Sequence, residues 1–282
     1  MKIVQVGKIK IGTGNPLALI AGPCVIESEK LVLSTAGQVK KIADKLGFPL
    51  IFKSSYLKDN RSAVDTFQGP GLKEGLRILQ KVKDTFGIPV LSDIHDLHDA
   101  ETCAEVLDVI QIPAYLSMQT SLVVAVGKTG RVVNVKKGQF LHPNDMQHVI
   151  NKLKSTGNDK ILLTDRGTFF GYHNLVLDMR NLKVMRDLGY PVVLDPTHAI
   201  RKYGVSSSDK RGGAKEFIFT LSRAGTAAGI DAIFIETHPD CEHALCDAAS
   251  MLPLQRLEAL LRQVKAIDEI VKPNLRDDEV GL

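Results

Sequence analysis

Tryptophan is absent from the 282-residue sequence, and aromatic residues make up only 5% of it. No basic stretch is interleaved with aromatics, which excludes a base-stacking nucleic-acid surface. Charge of one sign is scarce too. The 36 basic and 32 acidic residues leave a net charge of +4, too weak and dispersed for a phosphate-tracking face. No apolar run reaches the ~18 residues of a membrane span. The N-terminus alternates Lys with Ile and Val, a strand pattern, and lacks the apolar core of a signal peptide. Four cysteines, Cys24, Cys103, Cys241 and Cys246, show no paired spacing. This excludes a disulfide framework and a Cys-x-x-Cys zinc finger, and points to reduced thiols in a cytoplasm.

What is present is ordinary in bulk and regular in order. Apolar residues make up 44%, and the length suffices for a core without disulfide or metal staples. Short apolar runs occupy residues 17–21, 50–52, 89–91, 109–112, 132–135, 161–163, 192–194 and 232–235. They are rich in Val, Ile and Leu and nearly continuous, as strands buried on both faces are. Segments with helical period lie between them. Over residues 72–86, Leu72, Leu76, Leu79 and Val82 mark one face, with Lys and Arg on the other. Eight strand–helix units predict a (β/α)8 TIM barrel, an α/β fold, spanning residues 1–282 as one domain. Residues 1–12 then form a short N-terminal β-hairpin closing the barrel bottom, and residues 273–282 a loose tail. The competing doubly wound sheet is disfavoured because the first strand–helix turn, Gly22-Pro23-Cys24, is not a Gly-rich dinucleotide loop.

Barrel active sites lie at the C-terminal ends of the strands. There the sequence delivers Cys24; Lys53, Lys58, Asn60 and Arg61; Asp93 and His95; Gln111; Lys136 and Lys137; Asp165 and Arg166; Asp195 and His198; and Glu236 with His238. Any one of these has a bland reading as a rim charge or a packed side chain. All eight strands ending this way is not required by a purely structural barrel. Lys53, Lys58, Arg61, Lys136 and Arg166 form a cationic set suited to phosphate and carboxylate groups. Cys24, His198, Glu236 and Asp247 form a set suited to a divalent transition metal. Asp247 also reads as a helix cap. Cys246 reads as packing and Cys241 as an exposed loop thiol.

At these residues the chain resembles the 3-deoxy-D-manno-octulosonate 8-phosphate (KDO-8-phosphate) synthase family. That family shares a superfamily with 3-deoxy-D-arabino-heptulosonate 7-phosphate (DAHP) synthase. The matching segments are residues 20–28 (IAGPCVIES), 52–55 (FKSS), 58–62 (KDNRS), 69–71 (GPG), 134–140 (NVKKGQF), 165–167 (DRG), 170–172 (FGY), 174–176 (NLV), 197–198 (TH) and 236–240 (ETHPD). The resemblance runs from about residue 17 to 271. It implies a transferase that condenses phosphoenolpyruvate with D-arabinose 5-phosphate and releases phosphate, a step toward lipopolysaccharide. It also implies a homotetramer. Lys53, Lys58, Gln111, Lys136 and Arg166 would then bind phosphoenolpyruvate, and Asn60, Arg61 and Ser62 the sugar phosphate. Lys58, Asp93, His95, Glu236 and Asp247 are the candidate catalytic groups. The metal-independent class carries Asn where this chain has Cys24, so Cys24, His198, Glu236 and Asp247 imply the metal-dependent class, with Zn, Fe, Mn or a similar ion. No organic cofactor is implied, because phosphoenolpyruvate is already activated.

The chain departs from that pattern in places. Met118 replaces an Arg that reaches a neighbouring subunit's sugar-phosphate site, Gln68 replaces an Arg before Gly-Pro-Gly, and the usual Gly-rich run is altered in residues 201–213. Arg201, Lys202, Lys210 or Arg211 would restore the missing charge. Thr66 to Gly69, Met118-Gln119 and Asp195-Pro196 lean toward DAHP synthase and its substrate erythrose 4-phosphate. Asn60 before Arg61 and residues 134–140 lean toward arabinose 5-phosphate. A non-catalytic barrel that binds anionic metabolites is the remaining alternative.

Overall fold

The structure, a computed structural model, describes residues 1–59, 65–205, 209 and 211–275. Eight parallel strands close into a barrel: β3 (Ala18–Gly22), β4 (Leu50–Lys53), β5 (Val90–Asp93), β6 (Val109–Ile112), β7 (Val132–Lys136), β8 (Ile161–Asp165), β11 (Val192–Leu194) and β12 (Ala232–His238). Pairing of β11 with β12 completes the ring. The (β/α)8 barrel expected from the alternation is therefore present.

Each strand is apolar on both faces because both faces are buried. One set of alternate residues points outward under the helices, among them Leu19, Val90, Ile110, Val133, Leu163 and Ile233. The other set fills the barrel: Ile20, Ile51, Leu91, Val109, Val132, Leu162, Val193 and Phe234. Below them sits the N-terminal hairpin β1 (Val4–Val6) and β2 (Ile9–Ile11), whose Val4, Val6 and Ile11 join the same interior cluster. The hairpin seals the end of the barrel opposite the strand C-termini.

The outer layer follows from helix chemistry. Ser28 caps α1 (Glu29–Leu46) by accepting a hydrogen bond from the Leu31 N–H, and Gly47 ends it at φ 73°. α2 spans Leu72–Phe86, as the periodicity predicts, and buries Leu76, Leu79 and Val82. The remaining helices of the ring are α3 (Ala100–Val106), α4 (Thr120–Lys128), α5 (Met146–Lys154), α6 (Met179–Asp187), α7 (Pro196–Ala199), α8 (Ile218–Ala227) and α9 (Leu254–Val271). A small hairpin, β9 (Thr168–Gly171) with β10 (Asn174–Val176), projects after β8, and β13 (Leu252–Pro253) pairs with the end of β12.

The chain leaves α9 through a short turn. Residues Lys272–Asn274 form a 3-10 turn, and Leu275 packs over Gly229. Residues 276–282 lie outside the described residues.

One close approach controls the mouth of the barrel. A Cβ on Gly22, at the end of β3, would lie 2.0 Å from the Lys53 carbonyl oxygen of β4. Gly22→Ala must push these strands apart and is expected to cost about 2–3 kcal/mol, an overpacking penalty. A urea midpoint equal to that of the parent would refute this.

Candidate active site

Two residues beyond seven of the eight apolar interior positions, the inward register turns polar, the exception being Gly22 after Ile20. Ile51 is followed by Lys53, Leu91 by Asp93, Val109 by Gln111, Val132 by Asn134, Leu162 by Thr164, Val193 by Asp195 and Phe234 by Glu236. Side chains alternate across a strand, so these seven groups point into the barrel mouth and are all buried. They bond to one another around the ring. The Thr164 hydroxyl donates to Asn134 Oδ1 at 2.6 Å, the Asn134 amide to Gln111 Oε1 at 2.9 Å, and the Gln111 amide to Asp93 Oδ1 at 2.5 Å. Asp93 Oδ2 accepts from Ser55 and from the Lys58 ammonium, each at 2.9 Å.

The cations are neutralised largely by the barrel's own carboxylates. Lys53 pairs with Glu236 Oε1, Lys58 with Asp93, and Lys136 with Asp195 at 2.7 Å. Burying such charges singly is prohibitive, so each lysine comes with a partner. Arg166 differs. Among the described residues it has no carboxylate partner, and its Nη1 donates to the Tyr203 hydroxyl at 2.7 Å. The ion-pairing shifts the titrations. Burial lowers the Lys58 ammonium, but Asp93 and other nearby anions more than offset it and hold it well above the usual lysine value. Burial raises Asp93 and Asp195, but the adjoining cations more than offset it and hold both well below the carboxylate range. Burial pulls Lys136 below its ordinary value, with Asp195 opposing.

His198, on α7, is pushed down to about 4 by burial, which Asp195 only partly offsets. At neutral pH its contact with Asp195 (Nδ1 to Oδ2, 2.7 Å) is thus a hydrogen bond from a neutral ring. The sign of the pH effect follows. The unfolded chain binds a proton at His198 near pH 6.5 that the folded barrel, freed of metal, refuses until about 4. Stability therefore falls with falling pH across that window. From about pH 7.5 to 5 the expected loss is about 2 kcal/mol by urea unfolding in chelator, on this group alone. Constant stability across that range would contradict it.

The chemistry of the donor set fits a divalent metal. With Nδ1–H committed to Asp195, the His198 Nε2 lone pair faces Glu236 Oε2 at 3.6 Å and Asp247 Oδ2 at 3.8 Å. Cys24 Sγ lies 3.5 Å from the same Asp247 oxygen. Bonds of about 2.0–2.3 Å at tetrahedral angles make ligand-to-ligand edges of roughly 3.3–3.8 Å. The outer atoms are anchored: Glu236 Oε1 by Lys53, Asp247 Oδ1 by Arg201, and His198 Nδ1 by Asp195. Such outer bonds orient metal ligands. A lone pair and two carboxylates converging with no cation between them would repel.

The structure distributes the expected site residues unevenly. Cys24, His198, Glu236 and Asp247 come together. Lys58, Asp93, Gln111, Lys136 and Arg166 line one cavity with Tyr115, Gln139, Arg201 and Tyr203. Lys53, 1% exposed, lies one layer below, donating to the Cys24 carbonyl at 2.9 Å as well as to Glu236. His95 is not among the lining residues; its Nε2 contacts the Leu57 carbonyl at 3.0 Å. Asn60, Arg61 and Ser62 lie outside the described residues, as does Lys210. Of the other cations considered for the altered loop, Arg201 reaches the cavity, while Arg211 is exposed and paired with Asp209. Met118 packs half-buried against the core.

One reading of the cysteines is corrected and one holds. Cys241 is buried, its thiol donating to the His238 and Met251 carbonyls, because the chain after β12 folds back onto the barrel. Cys246 packs as expected, in a buried cluster with Cys24, Val25, Cys241 and Met251, and it also lines the cavity. Asp247 caps no helix; it adopts φ 49° in a turn. Asn134, Thr164 and Gln139 join the site although the ends of the apolar runs do not point to them. The inward period of two marks Asn134 and Thr164, and the 134–140 segment contains Gln139, but no local signal marks Tyr203.

The chain matches the model of the DAHP synthetase I family over residues 1–273. It is 55% identical to a 2-dehydro-3-deoxyphosphooctonate aldolase of Trichlorobacter lovleyi over 271 residues, 96% of this chain and 99% of that protein. The protein of the same name from Geobacter sulfurreducens is also 55% identical, covering 95% and 98% of the two chains. That from Syntrophotalea carbinolica is 51% identical over 96% and 98%. Barrel, cavity and sequence relatives agree: the chain belongs to the DAHP synthetase I family and groups there with the 2-dehydro-3-deoxyphosphooctonate aldolases.

Proposed function

We propose that the chain condenses phosphoenolpyruvate with D-arabinose 5-phosphate and water, giving KDO-8-phosphate and inorganic phosphate. The observation that carries this is the cavity wall of Lys58, Lys136 and Arg166, in a chain more than half identical to the octonate aldolases. A small substrate with two anionic groups suits that wall. Arg166, oriented by Tyr203, presents a planar fork to a phosphate. Lys58 and Lys136 offer point charges to the phosphate and carboxylate. Asn60, Arg61 and Ser62 are assigned to the sugar-phosphate end, from the family motif.

In the reaction, C3 of phosphoenolpyruvate forms a bond to the aldehyde carbon, and the aldehyde oxygen takes a proton. Water adds at C2 and loses a proton, and the C2–O bond to phosphate breaks. The fixed cations stabilise the anionic groups throughout. Asp93 is held too acidic to carry a proton near neutrality, so it orients Lys58 and Gln111. Lys136, pulled down by burial, is the cavity amine best matched to giving the aldehyde oxygen its proton. Lys53 and Glu236 act as a pair, the ammonium holding one carboxylate oxygen so that the other faces His198. Cys24, His198, Glu236 and Asp247 would hold a Zn, Fe, Mn or similar ion, which supplies electrophilic polarisation when bound. No organic cofactor is needed.

Four free cysteines accord with a reducing cytoplasm, and no described helix is long and apolar enough to cross a membrane. A homotetramer accords with the β9–β10 hairpin, where Phe170 and Tyr172 are 93% and 96% exposed.

The test is phosphate release from phosphoenolpyruvate with either sugar. The expected result is kcat/KM for arabinose 5-phosphate at least ~10-fold above that for erythrose 4-phosphate. The reverse order would reassign the chain to DAHP synthesis, and binding of phosphoenolpyruvate without turnover would make it a non-catalytic barrel.

A further inference from the structure

We infer that Cys246 is a second thiolate ligand of the metal, so that the centre is a two-sulfur site and not a one-sulfur site. This rests on the metal-dependent reading proposed for Cys24, His198, Glu236 and Asp247, and extends it by one residue. Three observations carry it. Cys246 Sγ touches Cys24 Sγ, so the two sulfurs need to part by only about 1 Å to reach the ~3.7 Å edge that two Zn–S bonds make, and Cys24 Sγ is itself 3.5 Å from the Asp247 oxygen that faces His198. The three ligand atoms of Cys24, Cys246 and Asp247 lie within 4.8 Å of one another, as do those of His198, Glu236 and Asp247, and Asp247 belongs to both groups. The two triads meet at the Asp247 carboxylate, which joins the thiols to the imidazole and Glu236.

The backbone explains how neighbouring residues reach one point. Consecutive residues of an extended segment point to opposite sides. Asp247 instead adopts φ 49°, a left-handed conformation that a residue with a Cβ enters only at a cost. That turn lets the Cys246 and Asp247 side chains face the same cavity. The third thiol of this region, Cys241, is committed to backbone carbonyls.

Two thiolates change what the centre prefers. Sulfur ligands select borderline-soft ions such as Zn2+ over hard ions such as Mg2+ and Mn2+. The added negative charge is felt by Lys58, whose ammonium already responds to both thiols.

The experiment loads reduced, chelator-stripped full-length protein with one equivalent of Co2+ and reads the sulfur-to-cobalt charge-transfer absorption. Cys24→Ser and Cys246→Ser are each expected to keep about half of the parent intensity, and the double variant none, because the band scales with the number of bound thiolates. Cys246→Ser should also weaken Co2+ binding at least ~10-fold, the lower bound for losing even an outer-shell partner. Parent intensity in Cys246→Ser, with loss in Cys24→Ser, would overturn the inference while leaving the metal reading intact. No such band in the parent would overturn both. Zinc-edge X-ray absorption on the unaltered protein counts sulfur neighbours without any substitution: two support the inference and one overturns it.

Discussion

Lys136→Met is expected to lower kcat/KM for phosphoenolpyruvate by about 10²–10³, the loss typical of one pre-aimed charge on a developing anion. Lys136 lines the cavity. Its ammonium is 2.7 Å from Asp195 and 4.0 Å from the centroid of the Phe234 ring, which caps the apolar interior of the barrel. Methionine keeps the length and apolar stem but removes the charge. The loss should fall on kcat as well as on KM, because a proton donor and an anion anchor go together. Asp195 then loses its ammonium partner and keeps the neutral donors of Thr197 and His198, and its negative field on the imidazole is no longer opposed by Lys136. The His198 titration should move up, and folding stability should fall by about 3 kcal/mol, as for other broken buried pairs. Stopped-assay phosphate release and urea unfolding measure the two effects. Unchanged kcat/KM in a folded variant would remove Lys136 from the machinery.

Chelation is the second large effect. Removing divalent ions should reduce phosphate release by more than ~10², with recovery on adding back Zn2+, Fe2+ or Mn2+. Cys24→Ala should shift the metal titration to much higher concentration, since Cys24 sits against Asp247 and beneath the cavity. Cys24→Asn is the informative companion. It carries the residue of the metal-independent class, and partial activity in excess chelator is expected of it. Full activity of the unaltered protein in excess chelator would show that the thiol, imidazole and carboxylates converge for some other reason.

The amino-acid order alone determined the architecture. Eight apolar runs separated by helical segments specify parallel strands buried on both faces, and the bounds of α2 follow from the spacing of its leucines. The identity of most rim residues was legible for the same reason: polar groups appear where each run ends. The strands nevertheless run one to three residues further than the apolar runs at Lys53, Asp93, Lys136, Asp165 and Glu236. Polar side chains continue a ladder whose hydrogen bonds are made by the backbone, which hydropathy does not register.

Only the tertiary structure decided how those rim residues divide. Strand parity sends Lys136 into the mouth, while Lys137, its neighbour in sequence, is absent from the cavity lining and lies 3.7 Å from Asp165. Pairing places Lys53 behind Glu236 instead of on the cavity wall. The turn at Asp247 brings Cys246 to Cys24 across 222 positions of sequence. Period and composition report what a residue sees a few positions away. Which sulfur meets which carboxylate depends on ring closure and on how the returning loop folds, and neither leaves a local trace.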